Sequence, residues 1–303
     1  MVEGEAPGRQ PVHPAVLVVG SLHYDIAVEA SDRPRKGETL AGHAWRPKYG
    51  GKGGNQAVAC RREGVATAMV GAVGRDAFGA ALLGNLEREG VEHAGVAIIE
   101  GVSSGMSVAI FDSEGDYGAV IVSGANLHIR AHQVPPSVWS SARLLVLQNE
   151  IPETVNAELA ARARQAGLLT ILNAAPARPF ETALPEIVDI LIVNAIEAEM
   201  YGGGAVNSLA SARAAAAQLS TCFQTVVVTA GANGVAFCDR FHRRFELPAI
   251  PVEVVSTHGA GDAFVGTMVA HLARGDEIEE AVQAANRAAA SLVAKAATDM
   301  TQR

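Results

Sequence analysis

Short apolar runs alternate with longer amphipathic stretches along most of this chain, and that alternation predicts strands followed by helices. Residues 16–20 form a first β-branched run ending in Gly20, the mark of a buried strand, and 21–25 then cross its carboxyl end. Residues 26–29 and 39–49 read as two more strands, separated by the polar, Pro-containing 31–38 with no helix between them. A glycine-rich turn at 50–54 opens a helix through Arg62 that ends near Gly64. A strand at 67–72 precedes a helix at 77–89, with Phe78, Leu82, Leu83 and Leu86 on one face and Gly90 as its C-cap. Further strands fall at 96–99, 106–112 and 117–123, the last two joined by the hairpin-type loop Ser113-Glu114-Gly115-Asp116. From Arg143 the pattern is regular: strand 144–147, helix 153–165 stopped by Gly167, strands 168–173 and 190–193, helix 212–219, strand 225–229, a hairpin over 235–247, helix 263–272, and a last helix from 276 to about 295.

Regular β/α alternation predicts a three-layer α/β/α body around a mostly parallel sheet. The strands within 26–49 and 96–123 interrupt it, which predicts a small antiparallel sheet appended to the body and used as a lid. Residues 15–303 are read as this one domain. Residues 1–14, rich in Pro, Gly and Glu, are expected to be a disordered tail.

Composition sharpens the class. Apolar residues make up 49% of the 303 and aromatic ones only 5%, which suits a helix-covered sheet rather than a β-sandwich. A net charge of −8 argues against a general nucleic-acid binder, so any anion site must be local. Cys60, Cys222 and Cys238 show neither a CxxC nor a metal-ligand spacing, which excludes a disulfide framework and a zinc site and fits a reducing cytoplasm. No apolar run is long enough to span a bilayer. A dinucleotide oxidoreductase is excluded as well, because Gly20 is the sole glycine of the turn after the first strand.

Candidate chemistry gathers at turns and strand ends. Residues 255–264, Val-Ser-Thr-His-Gly-Ala-Gly-Asp-Ala-Phe, set Asp262 just behind Gly259-Ala260-Gly261 at the start of a buried helix. Backbone N–H groups there can converge on an anion, and a carboxylate in the first turn can orient or deprotonate an attacking hydroxyl. The same residues also fit a tight turn with an ordinary N-cap aspartate. Residues 50–56 place four glycines around Lys52 and Asn55 without the Walker A spacing, either to hold a ligand or to form a plain turn. Asp25, Asn149-Glu150, Asn173 to Pro176, Asn194 and Glu197 follow strands, at the ends where open α/β sheets bind ligands, although each alone fits a cap or a solvated loop. Thr229-Ala230-Gly231-Ala232-Asn233-Gly234 is a second glycine turn suited to phosphate or ribose.

Together, Gly50 to Ala57, Asn173-Ala174-Ala175-Pro176-Ala177-Arg178, Asn194-Ala195-Ile196-Glu197 and Thr257 to Phe264 resemble the motifs of the ribokinase-like (PfkB) carbohydrate kinases, and the resemblance runs from Val16 to about Lys295. It implies ATP-dependent phosphorylation of a primary hydroxyl on a sugar or sugar-like substrate, beneath a lid of strands that often pairs two subunits. It further implies Asp262 as the base, the N–H groups of Gly259, Ala260 and Gly261 as an anion hole, and Asn194 and Glu197 positioning Mg²⁺ through water. Thr229, Gly231 and Gly234 would meet ATP, with Asn286 near its base. Asp25, Gly51, Lys52, Asn55 and Glu150 would read the hydroxyls of the acceptor, with ribose or a related pentose favoured.

Three departures from that pattern stand out. His23 replaces a small amide, either as a packing residue or as a contact for something a bare pentose lacks, such as a nucleoside; with Tyr24 it prompts a nucleoside kinase as the alternative. Ser256 stands where the family has an aspartate that helps hold an activating monovalent cation. Lys295-Ala296-Ala297-Thr298 replaces the glycine segment that closes the same site, so K⁺ activation is not expected. A sugar-binding regulator without turnover is a further reading, against which Asp262 and the anion-site glycines speak.

Overall fold

Each residue of β1 (Val16–Val19) is buried, and the side chains divide by parity: Val16 and Val18 join one apolar layer, Leu17 and Val19 the other. A strand covered on both faces must be apolar throughout, which is why the sequence shows a continuous run there. The computed structural model describes residues 13–113, 116–254 and 256–295. Most of the expected tail at 1–14, the loop residues Glu114 and Gly115, Val255 and the segment Ala296 to Thr298 lie outside the described residues.

The other strands are β2 (His23–Ala30), β3 (Gly42–Gly50), β4 (Thr67–Gly74), β5 (Glu92–Ile99), β6 (Gly105–Phe111), β7 (Tyr117–Val122), β8 (Leu144–Gln148), β9 (Leu169–Asn173), β10 (Ile190–Asn194), β11 (Thr225–Thr229), β12 (Val235–Asp239) and β13 (Arg244–Leu247). The helices are α1 (Lys52–Arg62), α2 (Ala77–Arg88), α3 (Pro136–Ser141), α4 (Glu153–Gln165), α5 (Leu184–Ile187), α6 (Ala195–Met200), α7 (Leu209–Leu219), α8 (Ala260–Arg274) and α9 (Ile278–Lys295). Nine strands form the main sheet in the order β13-β12-β11-β10-β9-β8-β1-β4-β5, all running the same way except β12, which is antiparallel to both of its neighbours. Apolar residues of α1, α2, α8 and α9 cover one face, and those of α3, α4, α5, α6 and α7 the other. This is the expected three-layer α/β/α body. No helix among the described residues is long and apolar enough to cross a membrane.

Strand order reverses at β1: β4 and β5 lie to one side of it, β8 to β11 to the other. Such a reversal opens a crevice at the carboxyl ends of the strands. α1 and α8 cross that crevice side by side, and their contact is close. A Cβ on Gly266 would lie 2.4 Å from the Cβ of Ala59 and 2.7 Å from the carbonyl of Gln56, so the small residue lets the two helix starts converge.

The second sheet runs β3-β2-β6-β7 and differs from expectation in two respects. Residues 96–99 are not part of it, since β5 pairs in parallel with β4 at the edge of the main sheet. Nor is the sheet wholly antiparallel: β2 and β6 are parallel, with Asp25 opposite Ser107. A parallel pair requires a long crossover, and the chain supplies it by visiting α1, β4, α2 and β5 between the two strands. The short helices α3, α5 and α6 were not expected, because four to six residues carry too little periodicity to be read.

Candidate active site

Two helix starts and the ends of three strands build the centre. α8 begins at Gly259, whose φ of 82° is left-handed, and no side chain caps it. The ordinary N-cap aspartate is thereby ruled out, since Asp262 lies inside the first turn. α1 begins at Gly51, also left-handed at φ 84°, and a Cβ there would fall 2.8 Å from the Leu22 Cα and the His23 nitrogen. Glycine is required at that point so that α1 can start directly against the turn between β1 and β2. Glu150 fixes the start: its Oε2 accepts the Lys52 backbone N–H at 2.9 Å and the Ser21 hydroxyl.

Both oxygens of Asp262 are held from α1. Asn55 Nδ2 donates to Oδ2 at 2.9 Å and Gln56 Nε2 to Oδ1 at 3.0 Å. Desolvation raises the carboxyl of Asp262 above the usual carboxylate range; Lys52 and the two amide donors pull it back, and Glu150 adds to the rise. A raised but tethered carboxylate is what proton removal from a hydroxyl calls for.

Asp262 opens onto a cavity of about 120 Å³ that is also lined by Lys52, Asn194, Glu197, Thr229, Gly259 and Gly261. Residues from α1, β10, α6, β11 and α8 therefore meet at one place. Gly261 faces open space, with no atom within 4 Å of where its Cβ would be. Ala260 departs from expectation, because its N–H closes a turn onto the Thr257 carbonyl at 3.2 Å and is not free for an anion. Asn194 and Glu197 form a reciprocal capping box on α6, each side chain accepting the other's backbone N–H. The cap and the cavity lining coexist. Burial raises Glu197, Lys52 lowers it and Asp262 raises it further.

The profile of the pfkB family carbohydrate kinases matches residues 14–302. The chain belongs to that family. This kinase is 34% identical to mouse (Mus musculus) ribokinase over 272 residues, covering 88% of this chain and 84% of the mouse one. It is 34% identical to Bacillus subtilis ribokinase over 276 residues, covering 90% and 91% respectively. The solved structure of Arabidopsis thaliana ribokinase complexed with ribose and ATP matches it with a TM-score of 0.84 at 27% identity, over 96% of this chain and 99% of that one. Ribokinase-like architecture is thus the fold of this kinase.

The remaining residues of the kinase lie around the cavity or away from it. Asp25 sits within β2 rather than in a loop, opposite Lys48 of β3, and accepts the Ser107 hydroxyl at 2.6 Å. Desolvation lowers the Lys48 ammonium, against the pull of Asp25 and Asp262. Sequence reasoning missed it, although its two-residue spacing from Gly50 on a strand could have pointed to it.

His23 is 4% exposed, lies between Gly50 and Gly105 across the sheet, and its Nε2 has no hydrogen-bond partner. Tyr24 points to the other face of β2, stacked on Phe78 of α2 at 4.3 Å and edge-on to Tyr49 at 6.1 Å. It ties the second sheet to the body and is not free to stack on a base. Gly231 follows Thr229 in an open turn and does not line the cavity. Gly234 owes its identity to packing, since a Cβ there would fall 2.1 Å from the Leu247 carbonyl. Asn286 holds the chain after β13 through the Pro248 carbonyl at 3.1 Å. Neither Gly234 nor Asn286 lines the cavity.

Proposed function

We propose that this kinase transfers the terminal phosphoryl group of ATP to a primary hydroxyl of a small sugar, ribose or a related pentose, with Asp262 as the base. The observation that carries this reading is Asp262 itself: a carboxylate held at both oxygens, opening onto a cavity beside a glycine-rich helix start and Lys52. Asp262 takes the hydroxyl proton, the sugar oxygen attacks the terminal phosphorus, and ADP leaves. The N–H groups at Gly259 and Gly261 and the positive end of α8 take up charge on the transferred group. Asp25, Lys48 and Ser107, on one face of the second sheet, supply acceptors and donors for sugar hydroxyls. The relatives named ribokinase support the pentose.

The cavity also fits Mg²⁺. Glu197 is buried, its Oε2 serves the cap, and a cation beside it would bring its burial-raised carboxyl back toward ionisation. When bound, the ion neutralises phosphate charge; Glu197 and Asn194 would hold it through water. Ser256 offers only a hydroxyl, which accepts the His258 N–H at 3.2 Å, where a carboxylate would hold a monovalent cation.

Incubation with ATP and Mg²⁺ and a panel of sugars and nucleosides tests the reading. ADP release is expected with ribose or a related pentose, and to change little between Na⁺ and K⁺ buffers. No release above background with any compound would end it. Turnover of nucleosides alone would favour the alternative to which His23, with its unpartnered Nε2, still lends support and Tyr24 no longer does.

The second sheet is read as a lid that pairs two subunits. Its strand register puts Ile26, Val28, Trp45, Val108 and Val120 on the face opposite Asp25, with Trp45 67% and Val120 69% exposed. A groove of about 550 Å³ lies on that face. Apolar area of this kind on a lid suits a second copy of the chain. A dimer is expected by light scattering, with Trp45→Asp shifting it toward monomer; a monomeric wild type at micromolar concentration would remove the dimer.

A further inference from the structure

Gln56 is 1% exposed and carries no charge, yet it is bonded at both ends of its amide. Its Nε2 donates to Asp262 Oδ1 at 3.0 Å and to Asn173 Oδ1 at 2.9 Å, and its Oε1 accepts from Gln148 Nε2 at 2.8 Å. Asn173 in turn donates to the Ile192 carbonyl at 3.2 Å, which commits its Nδ2 to a strand and turns its Oδ1 toward Gln56. Gln148 is wholly buried; its main-chain carbonyl accepts from Asn156 Nδ2 at 2.8 Å, while its side-chain Oε1 has no partner. Asp262 and Asn173 Oδ1, both acceptors, fix the sense of the Gln56 amide, with the donor end toward Asp262 and Oε1 left to accept from Gln148. Burying several amides in one file costs free energy that apolar residues would not. The charged end of the file is Asp262.

We propose that Gln56, oriented by Gln148 and Asn173, is the positioning residue of Asp262: it fixes the rotation of the carboxylate toward the acceptor hydroxyl and favours its ionised form. This rests on Asp262 being the base. Asn55 and Gln56 each occupy one site on a different oxygen, leaving the remaining lone pairs to receive the proton. The charged groups around Asp262 are Lys52 on α1, Lys48 on β3, Glu150 after β8 and Glu197 on α6. Against that background, loss of the Gln56 donor removes stabilisation of the ionised carboxylate without changing any charge, so the group becomes harder to deprotonate.

Gln56→Met keeps the length of the side chain and deletes the donor. The expected result is a kcat reduced by about 10- to 100-fold, with KM for sugar and ATP within about threefold and the acid limb of kcat/KM moved to higher pH. A carboxyl-carbon NMR titration, with Asp262 assigned by its absence from Asp262→Asn, should move the same way. Gln148→Met, which never touches Asp262, should shift that titration in the same direction by less, and it decides the matter if Gln56→Met does not fold. An unmoved titration and acid limb would overturn the inference. If the wild type turned over no substrate, the base assignment would fail, while the titration would still decide the role of Gln56.

Discussion

Asp262→Asn should lower kcat by about 10²–10⁴-fold while the dissociation constant for ATP stays within a few-fold, read from ADP release and from calorimetric titration. Asparagine preserves the shape but can accept no proton. Stability should respond differently. The folded-state carboxyl is raised above its unfolded value, so the stabilisation linked to its proton is present at low pH and lost as pH rises through the folded value. Asparagine removes the burial cost of the carboxylate charge but sets an N–H₂ against the donor of Asn55 or Gln56, so the unfolding midpoint of the variant should change little. In the wild type, activity should fall on the acid side at a higher pH than an ordinary carboxylate would give. A loss of ATP affinity as large as the loss in kcat would recast Asp262 as a nucleotide-holding residue.

Gly261→Val should reduce kcat/KM for ATP by about 10²-fold and leave the fold nearly intact. Position 261 is helical and faces open space, so the side chain meets no protein atom; it fills the place where the proposed reading puts phosphate. The helix cost of valine over glycine is slight or absent. Gly259, two residues earlier, separates the effects in the opposite sense. At φ 82° an alanine there is strained, and Gly259→Ala should cost about 1–2 kcal/mol in urea unfolding. Full activity in Gly261→Val would show that the transferred group does not approach the start of α8.

The elements legible from sequence were those whose environment leaves a local trace. β1 and β8 to β11 are enclosed by helices on both sides, so they read as continuous apolar runs, and Gly167 marked the end of α4. β5 reads as a lid strand in the sequence because its first residues, Glu92 and His93, give no apolar signal before Val96, and because strand partners are not written locally. The parallel pairing of β2 with β6 was hidden for the second reason alone. At the site, Asp262, Gly259, Gly261, Lys52, Asn194, Glu197 and Thr229 line one cavity. Ala260, Gly234 and Asn286 lie outside that lining, and the N–H of Ala260, the space at Gly234 and the amide of Asn286 are engaged by the chain's own packing. Gln56 was read only as part of a motif, since its meaning depends on residues at positions 148, 173 and 262.

The two faces of the second sheet have a consequence of their own. Asp25 and Lys48 on one side, Ile26 and Trp45 on the other, are separated only by the odd–even count along β2 and β3. A single residue inserted before Asp25 would turn its carboxylate outward and send Ile26 toward the acceptor. The proposed sugar reading and the proposed subunit association would then be lost together by one genetic event that alters no side chain. Length in this short ribbon is therefore under a stricter constraint than composition, and tolerated changes should arise in pairs of residues or not at all.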